Sequence, residues 1–477
     1  MMNNKVTVAV FCVMFMVTGI AEAKKHAKTT TDKVKNETDQ GDEATESSED
    51  GSEESDETDL VIPTIQTAPV DPASYKTTTL FTTTSVIAKA NTFQIWVHKG
   101  NVYAIYALPG DPGDWRSRRM MVAKIALDGS GAVTHPLVAG TNPAVRGYCL
   151  SPNNHKTWEI AVDRAGYIHV CGDMHTHMDM GYWRSDKPED VSSFTQIEWE
   201  NKPPGTPLRC PISQNTTFPH FWKDRKGQLF WSAQQSRSFL PFCSYDETTK
   251  LWTPLGGRGF GKEGNICLAH ANGAAYSTSS NKGGFSASSF RAVWDSKNRL
   301  HMMIGMLDKD THGPHPPGVG TDIIYVYSDD GGKTAHRADG TPVKYPICGS
   351  SGPKANRGDI ILEEMSDPNY KWLNRNAGLY LDKAERPVIV VESYTTGRHY
   401  FRLENRKWVE HPDGKGLEGR ATDPGSIIHA LHLRVWNKRY DHNYFRDTGE
   451  LVWVSVEGYR AKATYTVHRT VFNGVKK

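Results

Sequence analysis

From about residue 90 onward, short apolar runs alternate with polar turns. FQIWVHKGNVYAIYAL (93–108), WEIAVDRAGYIHVCGDM (158–174), FPHFWKDRKGQLFWSAQ (218–234), FRAVWDSKNRLHMMIGM (290–306) and LYLDKAERPVIVVESY (379–394) each read as strand, turn, strand. ALHLRVWNKRYDHNYFRDTGELVWVSVEG (430–458) reads as a last copy. The turns carry Asp, Lys, Gly or Asn and fall near 99, 164, 225, 297 and 384. Helical periodicity is almost absent, and Gly, Pro and Asn separate the strands. A hairpin that recurs every 60–90 residues predicts an all-β chain folded as a β-propeller, each blade a small antiparallel sheet buried on its neighbours. About 400 residues at roughly 60 per blade gives six or seven blades, and seven is expected. A pair of β-sandwiches is the competing architecture, and the regular turn disfavours it.

Ser328-Asp329-Asp330-Gly331-Gly332-Lys333-Thr334 resembles the Asp-box of propeller hairpins, with Ala335 in place of the usual Trp. The Asp caps the turn and the glycines supply positive φ. The motif indicates a propeller; alone it does not indicate a sialidase.

The chain before this body reads differently. Lys5, the apolar run Val6–Ile20 and Ala21-Glu22-Ala23 form the pattern of a secretory signal peptide over residues 1–23. The run is short for a membrane anchor. Residues 24–62 are an acidic, Ser/Thr-rich segment expected to be disordered, with thirteen Asp and Glu between Asp32 and Asp59 and no aromatic there. It reads as a solvated spacer; a weak calcium-binding tail is the sharper alternative. The propeller is placed at 63–477.

The tail masks the charge of the body. Setting aside its thirteen acidic residues and the six lysines before position 60 leaves 50 Lys and Arg against 41 Asp and Glu. A basic exported body suits an acidic polysaccharide. Export and the lack of any DNA-binding motif argue against nucleic acid, no later run is long enough for a membrane span, and a monomer is expected. Cys12 falls in the signal; Cys149, Cys171, Cys210, Cys243, Cys267 and Cys348 remain, an even set that predicts disulfides with the pairing open. Asn36 and Asn215 stand in glycosylation sequons.

Candidate chemistry gathers at 153–177, which carries His155, His169, His175 and His177. His155 precedes one strand and His175 follows its partner, so a hairpin returns both to one end. His169 lies inside a strand, where alternation assigns it a structural hydrogen bond.

Asn154-His155 before this hairpin, Asp173-Met174-His175-Thr176-His177 after it, Phe218-Pro219-His220-Phe221 and the Tyr327-Ser328-Asp329-Asp330-Gly331-Gly332 turn resemble the BNR-4 repeat family, which includes seven-bladed ulvan lyases. The resemblance covers about 90–410 and is firmest at 153–235 and 321–334. It implies β-elimination on a uronic-acid polysaccharide, with His155 and His175 catalytic and Tyr182 and Arg184 standing as a similar Tyr/Arg pair does in the family. The family's Tyr position reads Phe218 here, and its Arg position reads Gln234, with Arg237 three residues on. Phe cannot move a proton, and Gln cannot neutralise a carboxylate by charge. His220 is the candidate to replace the Tyr, because residues two apart share a strand face. Arg184 or Arg237 is the candidate carboxylate clamp.

No cofactor is indicated for certain. A structural calcium or zinc ion is an open alternative, with His175, His177 and Asp173 as its best ligands and the pairs His312/His315 and His429/His432 weaker. Trp158, Trp183, Trp222 and Trp231 lie near the histidine hairpin and read first as core. The leading expectation is therefore an exported lyase. A non-catalytic glycan-binding or matrix propeller is the alternative, and a sialidase-like glycosidase has only the Asp-box behind it.

Overall fold

The structure, a computed structural model, describes residues 75–87, 95–108, 119–137, 158–172, 181–198, 200, 206–211, 216–235, 239–259, 262–268, 284–285, 290–307, 320–349, 353–362, 378–382, 384–393, 397–411 and 438–472. The expected signal peptide, the acidic segment and the sequon asparagines Asn36 and Asn215 lie outside these residues.

The described chain is mostly strand, with almost no helix. Its strands form six antiparallel sheets. The first runs Ile95–His98, Asn101–Leu108, Arg119–Ala126, Ala132–Pro136, and the second Trp158–Val162, Ile168–Gly172, Gly181–Ser185, Phe194–Gln196. The third is built on Thr216–Lys223, Leu229–Gln235 and Phe239–Asp246, the fourth on Arg291–Trp294, Leu300–Leu307 and Gly320–Ser328, and the fifth on Gly378–Leu381, Pro387–Ser393, Gly397–Glu404 and Lys407–Glu410. In the sixth, Tyr75–Ile87 pairs with the far end of Leu451–Phe472, so both ends of the described chain share one sheet. Leading strands of successive sheets adjoin, 95–98 on 158–162 and 158–162 on 216–223. Sheets stacked in chain order with their first strands together are the packing of a β-propeller.

The turns show why the repeat folds this way. Asp163, Asp224, Asp295 and Asp382 each open a hairpin turn, and each carboxylate accepts the main-chain N–H four residues on, from Tyr167, Gln228, Arg299 and Arg386. The fourth turn residue is left-handed each time: Gly166, Gly227, Asn298 and Glu385. Glycine meets that demand without strain, and Asn tolerates it. The first hairpin instead uses Lys99-Gly100, both at positive φ.

These turns also tie neighbouring sheets together along one face. Lys99 pairs with Glu189, Arg164 with Glu247, Asn298 donates to Asp224, and Ser296 donates to Glu385. The Asp-box turn forms as its residues require: Asp330 accepts from Thr334 N and Oγ1, and Ser328 Oγ accepts from Gly332 N.

Two expectations are corrected. The last hairpin copy contains no tight turn, because His442–Thr448 is a helix. Asp441 caps it by accepting from Tyr444 N, and Gly449 ends it at φ 72°. Asp441 also accepts from Val97 N at 2.6 Å, which anchors this segment on the first sheet. The disulfide expectation also fails among the described cysteines. Cys171, Cys210, Cys243 and Cys348 are buried free thiols. The Cys243 and Cys348 sulfurs point instead at the carbonyls of Pro211 and Pro346. Cys149 and the Cys267 side chain lie outside the described residues.

Candidate functional site

The strand Trp158–Val162 is apolar except for one residue. Glu159 is fully buried, and a lone carboxylate removed from water needs a charged or donating partner. That partner comes from the next sheet: Glu159 Oε1 lies 3.5 Å from His220 Nδ1. The imidazole is 18% exposed, so it joins a buried charge to open space.

A bulge sets the position of His220. The ladder between Thr216–Lys223 and Leu229–Gln235 breaks register between Thr217 and His220. Pro219 falls in the break; it has no N–H to donate, and a bulge is where a strand accommodates it. Beyond the bulge His220 pairs with Ser232, whose Oγ accepts from Trp222 Nε1 at 2.8 Å. The Trp222 ring lies 5.2 Å from the imidazole. Strict alternation cannot be counted from Phe218 to His220 across a bulge, so the shared-face premise for placing His220 does not hold.

Other candidates lie elsewhere. His155 stands three residues before Trp158, and His175 three after Gly172. Trp158 and Gly172 are paired, so both arms spring from the sheet end that holds Glu159. His155, His175, His177 and Arg237 themselves lie outside the described residues, as do the side chains of Phe218 and Gln234; so do Asp173, His312, His315, His429 and His432. Among the described residues no three His, Cys, Asp or Glu side chains are grouped to hold a metal ion.

Tyr182 and Arg184 are corrected. Tyr182 is fully enclosed, its OH 2.7 Å from His169 Nδ1 and accepting from Trp252 Nε1 at 3.1 Å. Arg184 pairs with His169, next to the Asp163 turn, and donates to Tyr245 OH at 3.1 Å. That is the opposite end of the sheet from the His155 and His175 arms. Neither residue is placed to hold a ligand beside His220.

His169 is structural, as alternation predicts. Its ring bridges Tyr182 and Asp163 Oδ2, 3.2 Å away, within the second sheet, and meets Tyr245 and Trp252 of the third edge-on. The same device recurs between the fourth and fifth: His301 Nδ1 lies 2.6 Å from Tyr325 OH, Asp295 flanks the ring, and Tyr325 meets Trp408. The Asp-to-His spacing is six residues in both, which makes these networks part of the blade repeat.

Two consequences can be measured. Tyr182→Phe leaves His169 Nδ1 and Trp252 Nε1 unsatisfied in a dry interior, so unfolding free energy is expected to fall by about 1–3 kcal/mol. A denaturation midpoint equal to that of the parent would contradict this. Burial, outweighing the Asp163 carboxylate, holds the His169 imidazole below its ordinary 6.5. The ring is therefore neutral when folded and takes up a proton on unfolding below 6.5. Its contribution is complete above 6.5 and is lost as pH falls. The expected slope is at most about 1.4 kcal/mol per pH unit. His169→Gln should flatten it in melts across that range, and an unchanged slope would assign the effect elsewhere.

Glu159 was legible as the one charged residue in Trp-Glu-Ile-Ala-Val, but nothing local names its partner 61 positions away.

Comparison with known proteins places this geometry in context. The model of a family described as BNR repeat-containing matches residues 102–413. Among solved structures, a PL25 polysaccharide lyase, an ulvan lyase bound to -[GlcA(1-4)Rha3S]-, is 12% identical, with TM-score 0.51 over 81% of this chain and 84% of that one. A structure titled for the PL25 ulvan lyase without that ligand gives the same values. The polysaccharide lyase Uly1 is 13% identical, with TM-score 0.44 over 82% of this chain and 91% of that one. No curated protein matches the chain.

Proposed function

Because the chain belongs to the BNR repeat-containing family, which its residues 102–413 match, we propose that it is an exported lyase cleaving a uronic-acid polysaccharide by β-elimination. The observation that carries this reading is the buried Glu159 carboxylate set against the partly exposed His220 imidazole, at the sheet end from which the His155 and His175 arms leave. The propeller is proposed to close with seven blades, and export rests on the signal-like first 23 residues.

Glu159 faces Nδ1 of His220. A carboxylate there favours the tautomer with its proton on Nδ1, leaving the Nε2 lone pair as the base. His220 then takes the C5 proton of the uronate. The electron pair left on carbon forms the C4–C5 double bond as the C4–O4 bond breaks. O4 departs with a proton, which this reading assigns to His155 or His175 as imidazolium. The C5 proton is acidic enough only when the carboxylate is neutralised, and Arg237 is the candidate for that task. A GlcA(1-4)Rha3S repeat, the ligand named for the ulvan lyase, offers such a uronate.

A second reading rests on Phe218 and Gln234: a propeller that binds the glycan without cleaving it. Incubating the full secreted chain with ulvan and a panel of other acidic polysaccharides separates the two. Ultraviolet absorbance of an unsaturated uronate is expected with ulvan. A flat trace on every member of the panel, with salt-sensitive binding retained, would establish the binding-only reading.

A further inference from the structure

The fourth sheet carries a feature that the chemistry above does not use. On its outer side, the hairpin Ala335–His336/Pro342–Val343 and the turn Lys354–Asn356 enclose a groove of about 450 Å³. Arg337, Lys354 and Arg357 line it, together with Thr341, Pro342 and Ile360, and among the described residues no carboxylate does.

The Arg337 guanidinium is held in place. Arg337 donates from Nε to the Arg357 carbonyl and from Nη2 to the Lys354 carbonyl, both at 2.8 Å. One guanidinium thus fixes the main chain that presents the other two cations. Its bonds go to neutral carbonyls, and three of its five N–H groups remain for a ligand. Among the described residues neither Arg337 nor Lys354 has a carboxylate within ion-pair distance. The two nearby acids are engaged elsewhere. Asp339 accepts from Thr341 N, and Asp359 accepts from Ala338 N at 2.7 Å and from Trp408 Nε1. Gly358 keeps the wall rigid: a Cβ there would stand 2.6 Å from Ile324 Cγ2 and 2.7 Å from the Tyr325 carbonyl oxygen, so the segment lies flat on the sheet.

An apolar floor rimmed by three cations matches a sugar ring carrying an anionic group. We propose that this groove is a second saccharide site, binding a sulfated or carboxylated sugar of an acidic polysaccharide away from Glu159 and His220. Those two lie on the first strands of the second and third sheets, whereas the groove lies past the last long strand of the fourth. One polymer held at both places is kept near the reacting pair between cleavage events, as effective concentration requires. The ligand class rests on the proposed lyase reading.

The test is calorimetric titration of the full chain carrying His220→Gln, so that the probe stays intact. The probes are ulvan oligosaccharides and their chemically desulfated forms. Lys354 is exposed, so Lys354→Glu is expected to weaken binding about tenfold at low salt without changing the melting temperature. Arg357→Gln is the second variant, read beside its own melting temperature. A larger loss with sulfated than with desulfated probe assigns the groove to sulfate; an equal loss assigns it to the uronate carboxylate. Binding unchanged by Lys354→Glu, or no binding of either probe, overturns the proposal. The two readings fail separately: wild-type product with Lys354-insensitive binding removes the groove and leaves the lyase, while Lys354-sensitive binding without product removes the lyase and leaves the groove.

Discussion

His220→Gln is expected to lower the rate of unsaturated-uronate formation by about 10²–10⁴-fold, the range supplied by a positioned general base. The amide can still donate toward Glu159 Oε1, now 3.5 Å from Nδ1, so the buried carboxylate keeps a donor. Far-ultraviolet circular dichroism and the melting temperature should therefore stay near the parent values, which separates lost chemistry from lost fold. Glu159→Gln is the companion variant. It keeps the volume and removes the charge that orients the ring, so the rate should fall less than with His220→Gln and KM should change little. Retention of more than a third of the parent rate by His220→Gln would move the base to His155 or His175 and leave His220 as part of the wall.

The largest expected effect on stability comes from one glycine. Gly172 ends the strand Ile168–Gly172 and pairs with Trp158 across the ladder. A Cβ at Gly172 would lie 2.4 Å from Trp158 Cδ2 and 2.7 Å from its Cγ and Cε3. The indole cannot retreat, because it is fully buried and stacked on Trp183 at 5.4 Å. Gly172→Ala must therefore separate the two strands, at a cost of about 3 kcal/mol or more. Activity should fall with it, since Glu159 follows Trp158 and the arm carrying His175 begins one residue later. Gly378→Ala is the control: nothing lies within 4 Å of its Cβ, so a change below about 0.5 kcal/mol is expected. Equal chemical-denaturation midpoints for the two variants would show that Trp158 has room to move.

What could be read along the chain was local. The hairpin repeat was legible because four of its copies contain their own cause: alternation along the strands, an Asp that caps its own turn, and, in three of the four, a Gly or Asn suited to positive φ three positions later. The Asp-box was legible for the same reason, since the bonds that shape its turn run between Ser328, Asp330, Gly332 and Thr334. Even His169 followed from alternation. The helix His442–Thr448 was a missed local signal, because Asp441 and Gly449 mark its ends in the sequence.

The candidate site was not local. Tyr182 and Arg184 stand two apart, and spacing alone makes them a plausible pair. Packing encloses Tyr182 against Trp252 of the next sheet and sends Arg184 to the far end of its own. Glu159 and His220 meet only because the first strands of two sheets adjoin, and the Pro219 bulge resets which way the second strand faces. The reduced cysteines and the basic groove between residues 337 and 360 likewise depend on how separate strands stack. The sequence thus determined the blade, whose hydrogen bonds close within a few residues. Only the tertiary structure decided the site, because its charges belong to different sheets and burial sets which of them meet.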